Sequence, residues 1–317
     1  MTAARTVTAF APASIGNVGV GFDMLGLALS NVGDRVSARR TAKDGITIAR
    51  VLGHDGEVHP YLSTDADANT ASIAAAALWT AVGAAGGLEL VIRKGIPLQS
   101  GMGSSAASAV AATVAANALL DAPLATAALL TYAIEGETFA SGGRHADNVA
   151  PSLLGGLVLC PGVLLPECVR LTTFPDIVSV LIHPHLQIDT ASSRRALARE
   201  YTMDQWLTQQ GYLAACVAAC EHQDESLLRK SLHDVIIEPQ RAAGVACFST
   251  VKEAALNADA FACSLSGSGP SIFALCNAKR SARVATAMEQ ACRSHGIECE
   301  SWISPMDSPG AHIEATT

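Results

Sequence analysis

Residues 88–120 read in order as an alternating strand, a glycine- and serine-rich loop and an alanine-rich helix. The loop is Pro97-Leu98-Gln99-Ser100-Gly101-Met102-Gly103-Ser104-Ser105. A helix that starts after such a loop leaves its first backbone N–H groups without acceptors. Its dipole adds partial positive charge at the same end. Gly101 and Gly103 have no Cβ, so the backbone can come close to a ligand. Together these features make an anion site, and phosphate is the usual guest. Ser104 and Ser105 add hydroxyls, which either cap the helix or ligate Mg2+. No lysine follows the glycines, so the loop is not a Walker A sequence. Residues 16–21 are also glycine-rich, but their GxxGxG spacing is not the dinucleotide fingerprint.

Other chemistry is thinly signalled. The nine cysteines form no CxxC pair, and Cys216 and Cys220, one helical turn apart, lack a histidine pair to complete a zinc pattern. They read as reduced, buried thiols. His183-Pro184-His185 is a strand-end coincidence, and no other pair of histidines has ligand spacing. The net charge of −8 and the lack of a basic run argue against nucleic-acid binding. No apolar run reaches the length of a bilayer span, and the first residues show no charged-then-apolar leader. The expected location is the cytoplasm.

The elements that would carry these residues form a mixed pattern. Strands are expected over residues 6–11, 34–40, 45–51, 88–94, 157–160, 176–183, 260–265 and 271–276. Helices are expected over 69–85, 106–120, 124–137, 192–199, 205–221 and 281–295. Residues 140–150 read as a polar loop. Asn69 stands where an N-cap belongs. Strands and helices mixed in this way indicate an α+β protein. Pro161 and Pro166 place a domain boundary near residue 160, giving 1–160 and 161–317.

The loop from Pro97 to Ala107 resembles the PxxxGLGSSAA segment of the GHMP kinases, with Met102 in place of leucine. Residues 11–22 resemble the family's N-terminal motif, and residues 264–271 its C-terminal glycine motif. Within the family, three segments resemble the homoserine kinases: APASIGNVGVGFD over 11–23, HADNVAP over 145–151 and EPQR over 238–241. The resemblance implies a two-domain fold. Its N-terminal ATP-binding α/β domain would contain a left-handed βαβ unit, and its C-terminal domain would be ferredoxin-like. It implies ATP as donor, Mg2+ as cofactor, L-homoserine as acceptor in threonine biosynthesis, and a homodimer.

The resemblance also distributes roles. Residues 97–105 would cradle the triphosphate, with Asn69 near adenine. Ser105 and Glu137 would hold Mg2+. Arg194 and Arg241 would clamp the substrate carboxylate, since arginine pairs bidentately with carboxylates. Arg194 is preferred to Arg195 because it lies four residues after Thr190. Asn17, Asp23, His145, Asp147 and Gly267 would complete the acceptor pocket. Asn148 stands where many GHMP kinases carry a catalytic aspartate. Asparagine cannot act as a general base, so catalysis would rest on stabilising the transition state. Two rival readings are a kinase for another small alcohol and a non-catalytic nucleotide sensor on the same fold.

Overall fold

The computed structural model describes residues 5–198 and 200–317. Its first layer contains β1 (Thr6–Gly16), β2 (Leu25–Thr41), β3 (Gly45–Leu52), α1 (Thr70–Ala81), β4 (Gly87–Arg93), α2 (Ser104–Ala118), α3 (Leu130–Ser141), α4 (Val149–Leu154), β5 (Leu157–Leu159) and β6 (Val169–Arg170). The second contains β7 (Ile177–Pro184), α5 (Thr190–Arg195), α6 (Met203–His222), α7 (Glu225–Ser231), α8 (Glu238–Ala242), α9 (Phe248–Asn257), β8 (Ala262–Leu265), β9 (Ile272–Asn277), α10 (Ser281–Arg293) and β10 (Cys299–Pro305). A last strand, β11 (His312–Thr316), returns to the first layer.

The main path of the first sheet is β11-β1-β2-β4-β3, and β5 bridges β2 to β6. β3 and β4 run parallel and are joined through α1, forming a βαβ unit. The second sheet has the order β10-β7-β9-β8 and is antiparallel throughout. Numbered from its own first strand, that order is 4-1-3-2, the ferredoxin-like arrangement. β6 and β11 come from beyond residue 160 yet pair in the first sheet, so no single cut at 160 separates the two sheets.

Several elements extend past their expected limits. β1 runs through Pro12 because β11 pairs only as far as Phe10, leaving the proline's missing N–H on an unpaired side. β2 is one long strand that absorbs Asn31 at φ 64°. α4 occupies part of the expected polar loop, while β10 and β11 have no counterpart in the sequence reading. Their weak alternation, with serine, proline and glutamate among few apolar residues, hides them.

The alanine-rich helices explain how the site is assembled. α2 buries eleven of its fifteen residues, mostly alanine, so α1 and α3 can approach it closely. Gly136 of α3 marks the tightest point: a Cβ there would lie 2.4 Å from the Thr70 carbonyl oxygen and 2.9 Å from Ala109 Cβ. This packing brings the middle of α3 beside the first turn of α2. A second apolar cluster lies between the four-stranded sheet and α9 and α10.

Candidate active site

A cavity of about 580 Å³ lies between the two layers. Its walls include the loop from Leu98 to Ser105, residues Asn17 and Asp23, the 137–148 segment, and Arg194, Arg241 and Gly267 from the second layer.

The phosphate-loop end is built on α2. Gly103 precedes the helix at φ 70°, a left-handed conformation natural to glycine, and no side chain caps the helix. A Cβ at Gly103 would lie 2.5 Å from Ser14 Oγ and 2.9 Å from Asn148 Oδ1. The serines therefore do not serve as caps. Ser105 Oγ donates to Glu137 Oε2 at 2.6 Å, and Ser104 Oγ is buried without a partner. The first N–H groups of α2 face a cavity with no protein cap, as an anion site requires.

Glu137 is buried, which pushes its carboxyl up to about 7 against the opposing effect of the Ser105 hydrogen bond. A carboxyl held near neutrality by burial gains most from a cation beside it. Ser105, Glu137 and the unpartnered Ser104 hydroxyl supply the hard oxygen donors that suit Mg2+, so the residues present fit that ion.

The opposite end gathers charges of both signs. Arg194 donates to Asp23 through Nη1 at 2.8 Å and Nη2 at 2.7 Å. Arg241 donates from Nη1 to the Gly267 carbonyl at 2.8 Å. Both guanidiniums lie over the Phe22 ring, with Cζ 5.4 and 5.1 Å from its centroid, and each keeps a buried Nε without a partner. The Arg195 side chain is 72% exposed and does not line the cavity; it donates to Ser192 Oγ and lies 3.9 Å from Asp189.

Asp147 accepts from the Asn17 backbone at 3.1 Å and lies 3.5 Å from His145 Nδ1. Burial opposes charge on His145, but the hydrogen bond and negative charge of Asp147, together with Asp23, raise its pKa above the usual histidine value. Burial, and then the neighbouring Arg194 charge, lower the pKa of Arg241. Asn17 and Val18 are consecutive left-handed residues, and Asp23 is a third. Asparagine and aspartate tolerate that conformation; a β-branched valine does not, so Val18 records local strain beside the site. Asn17 Oδ1 accepts from the Asp23 backbone, and its Nδ2 reaches the Gly267 carbonyl.

Asn148 lies between these ends. Ser14 Oγ donates to its Oδ1 at 2.9 Å, leaving Nδ2 as the free donor. Asn69 caps α1 through Ala71 N at 3.0 Å and also lines the cavity.

The structure thus brings nearly all the expected residues to one cavity. Pro97 and Met102 do not line it: Met102 fills the core, and its carbonyl accepts from Ser14 N. The sequence reading missed Ser14, Phe22 and the buried Asp34–Lys94 pair under the loop. Lys94 had a signal. Leu88, Leu90, Ile92 and Lys94 share one strand face, so a cation falls in a core row and requires an anion. All nine cysteines are free, and seven are buried.

Comparison with known proteins bears on this geometry. The model of the GHMP kinases N terminal domain matches residues 69–156, and that of the GHMP kinases C terminal matches residues 216–294. A homoserine kinase of Xylella fastidiosa (strain M12) is 43% identical over 311 residues, spanning 98% of this chain and 94% of that protein. One from Chlorobaculum tepidum is 36% identical over 326 residues, spanning 99% of each. A crystal structure of homoserine kinase from Cytophaga hutchinsonii matches with a TM-score of 0.90 at 37% identity, covering 97% of each chain.

Proposed function

This chain belongs to the homoserine kinases of the GHMP kinase family, and on that premise we propose that its cavity transfers the γ-phosphoryl group of ATP to the hydroxyl of L-homoserine. The product is O-phospho-L-homoserine, an intermediate on the route to threonine. The observation that carries the acceptor is the pair of arginines stacked over Phe22 beside Asp23 and Asp147, in the same cavity as the uncapped N-terminus of α2.

In this reading the α2 amides and residues 97–105 bind the triphosphate, with Asn69 at the adenine end. Ser105 and Glu137, with Ser104 nearby, hold Mg2+, which supplies positive charge to the phosphate oxygens. Arg241 and Arg194 take the amino-acid carboxylate. Asp23 and Asp147 face the ammonium, with His145 beside them, and the ligand atoms of the three lie within 4.8 Å of one another.

The acceptor hydroxyl oxygen bonds to the γ-phosphorus as the bond to the bridging oxygen breaks, and ADP leaves. The hydroxyl proton passes to an oxygen of the transferring group and then to water. A loose phosphoryl transition state needs little early deprotonation. Asn148, held by Ser14, directs its free amide donor toward the transferring group and stabilises the charge there.

An ADP-release assay with homoserine, mevalonate, galactose and shikimate side by side tests the acceptor. Preferred turnover of homoserine is expected. Turnover of another alcohol alone would reassign the acceptor, and ATP binding with no turnover would favour a sensor. No helix among the described residues is long and apolar enough to cross a membrane. A cytoplasmic homodimer completes the proposal, and sedimentation of the purified chain checks the dimer.

A further inference from the structure

Asp34 is fully buried where β2 faces the start of the phosphate loop. One of its oxygens, Oδ1, accepts from the backbone N–H of Gly95 at 2.9 Å and of Ile96 at 3.2 Å. The other, Oδ2, accepts from Ser108 Oγ at 2.7 Å and pairs with the Lys94 ammonium. Lys94 Nζ also donates to the Ser104 carbonyl at 2.9 Å and to Ser108 Oγ at 2.6 Å. The entry of the loop at Gly95 and its exit at Ser104 are thus tied to one buried ion pair.

A buried ion pair is costly unless its remaining hydrogen-bonding capacity is filled. Here both oxygens of Asp34 are used, and Lys94 has three partners for three protons. Ordinary strand packing would have been served by an apolar residue at 94, continuing the row of Leu88, Leu90 and Ile92. The ion pair instead fixes two backbone positions that bracket the loop.

We propose that Asp34 and Lys94 are positioning residues for phosphoryl transfer: they close the 95–104 loop from both ends and so aim the first N–H groups of α2 at the nucleotide phosphates. The inference rests on the reading of that loop as the nucleotide cradle, but not on the identity of the acceptor. Neither residue takes part in the chemical step. Lys94 also lines the cavity beneath the loop, but its three protons are taken by Asp34, Ser104 and Ser108, so the effect of the pair on the reaction passes through the loop backbone and falls on the nucleotide and not on the acceptor.

The test measures ADP affinity by calorimetry, thermal midpoint, and KM for both substrates in the full chain. It compares wild type, Lys94→Met and the double variant Asp34→Asn/Lys94→Met. The single variant leaves a buried carboxylate unpaired and is expected to lower the midpoint. The double variant has no unpaired charge and should recover much of it. Both should bind ADP at least about tenfold more weakly, the scale of one lost charged hydrogen bond. KM for homoserine should stay within about twofold of wild type. If the single variant does not fold, the double variant carries the test. Wild-type ADP affinity in the double variant, or a rise in KM for homoserine matching that for ATP, overturns the proposal. A wild-type chain that binds ADP but ignores homoserine would refute the acceptor and leave this measurement intact.

Discussion

Ser105 Oγ and Glu137 Oε2 are 2.6 Å apart, and this contact ties the first turn of α2 to α3 at the cavity wall. It depends on the close approach of the two helices at Gly136 and on the burial that keeps the Glu137 carboxyl protonated well above its ordinary range. The pair joins packing to chemistry, because the residues that hold α3 in register against the alanine-rich α2 also place two oxygen groups at the start of α2 in the cavity wall.

Removing either donor should weaken the use of Mg2+ more than the binding of acceptor. Glu137→Gln and Ser105→Ala should each raise the Mg2+ concentration for half-maximal activity by about tenfold, with KM for homoserine little changed. A magnesium titration at saturating ATP checks this. Wild-type magnesium dependence in both variants would remove these two residues from the site.

The same carboxyl should leave a mark on metal-free stability. An unfolded glutamate ionises near 4.5, while the folded chain keeps the Glu137 proton up to about 7. Between those values the unfolded state binds fewer protons, so stability falls as pH rises. The contribution is fully present below pH 4.5 and lost above about pH 7, with an upper size of about 3 kcal/mol. Urea denaturation of wild type and Glu137→Gln at pH 5 and pH 8 measures it. Wild type should lose more stability across that interval than the glutamine variant, and parallel losses would count against the assignment.

The arginines should separate substrate binding from nucleotide binding. Arg241→Ala should raise KM for homoserine by at least about tenfold, since a charged hydrogen bond is removed. Arg194→Ala should do the same and also leave Asp23 without its bidentate partner. KM for ATP should hold in both. Unchanged homoserine kinetics in both variants would sink the acceptor assignment.

Phe22 spaces the two guanidiniums, with both lying over its ring. Phe22→Leu keeps the bulk and removes the π face. A rise in KM for homoserine of roughly three- to thirtyfold is expected, the range of one partly desolvated cation–π contact. Steady-state kinetics would show it, and an equal rise with ATP would mean the loop had collapsed instead.

Asn148 should act as a donor and not as a base. Asn148→Ala should lower kcat by about a hundredfold or more with little change in either KM. Asn148→Asp should not exceed wild-type kcat, because the added carboxylate would sit beside Asp147 and the transferring phosphoryl group. A faster aspartate variant would show that a base is wanted after all.

The site was legible in the sequence where local pattern and chemistry coincide. The loop from Gly101 to Ser105 sits between a clean alternation and an alanine-rich helix, and α2 starts there. The placing of Arg194 and Arg241 in the cavity was not legible from their surroundings, since Arg194 stands next to a second arginine and Arg241 is a lone cation ahead of an apolar run. Resemblance pointed to them, and the pairing of Arg194 with Asp23 across 171 positions needed coordinates. α4 was hidden because its six residues follow a polar run and include Pro151. β11 was hidden because all five of its residues are exposed, leaving no alternation to read. Lys94 was legible in principle, as the charged member of a buried row, but the sequence does not name its partner.

The phosphate loop does not stand alone. A Cβ on Gly101 would lie 2.4 Å from the Ser266 carbonyl and 2.8 Å from that of Gly269. Ser266 Oγ donates to the Gly101 carbonyl, Ser271 N to that of Ser100, and Gly267 N to that of Gly16. Three glycine-bearing turns from the beginning, middle and end of the chain therefore interlock through their main chains. They must be inherited together: a graft of one turn from a distant relative, without the other two, would bring side chains into space that only bare backbone now fills.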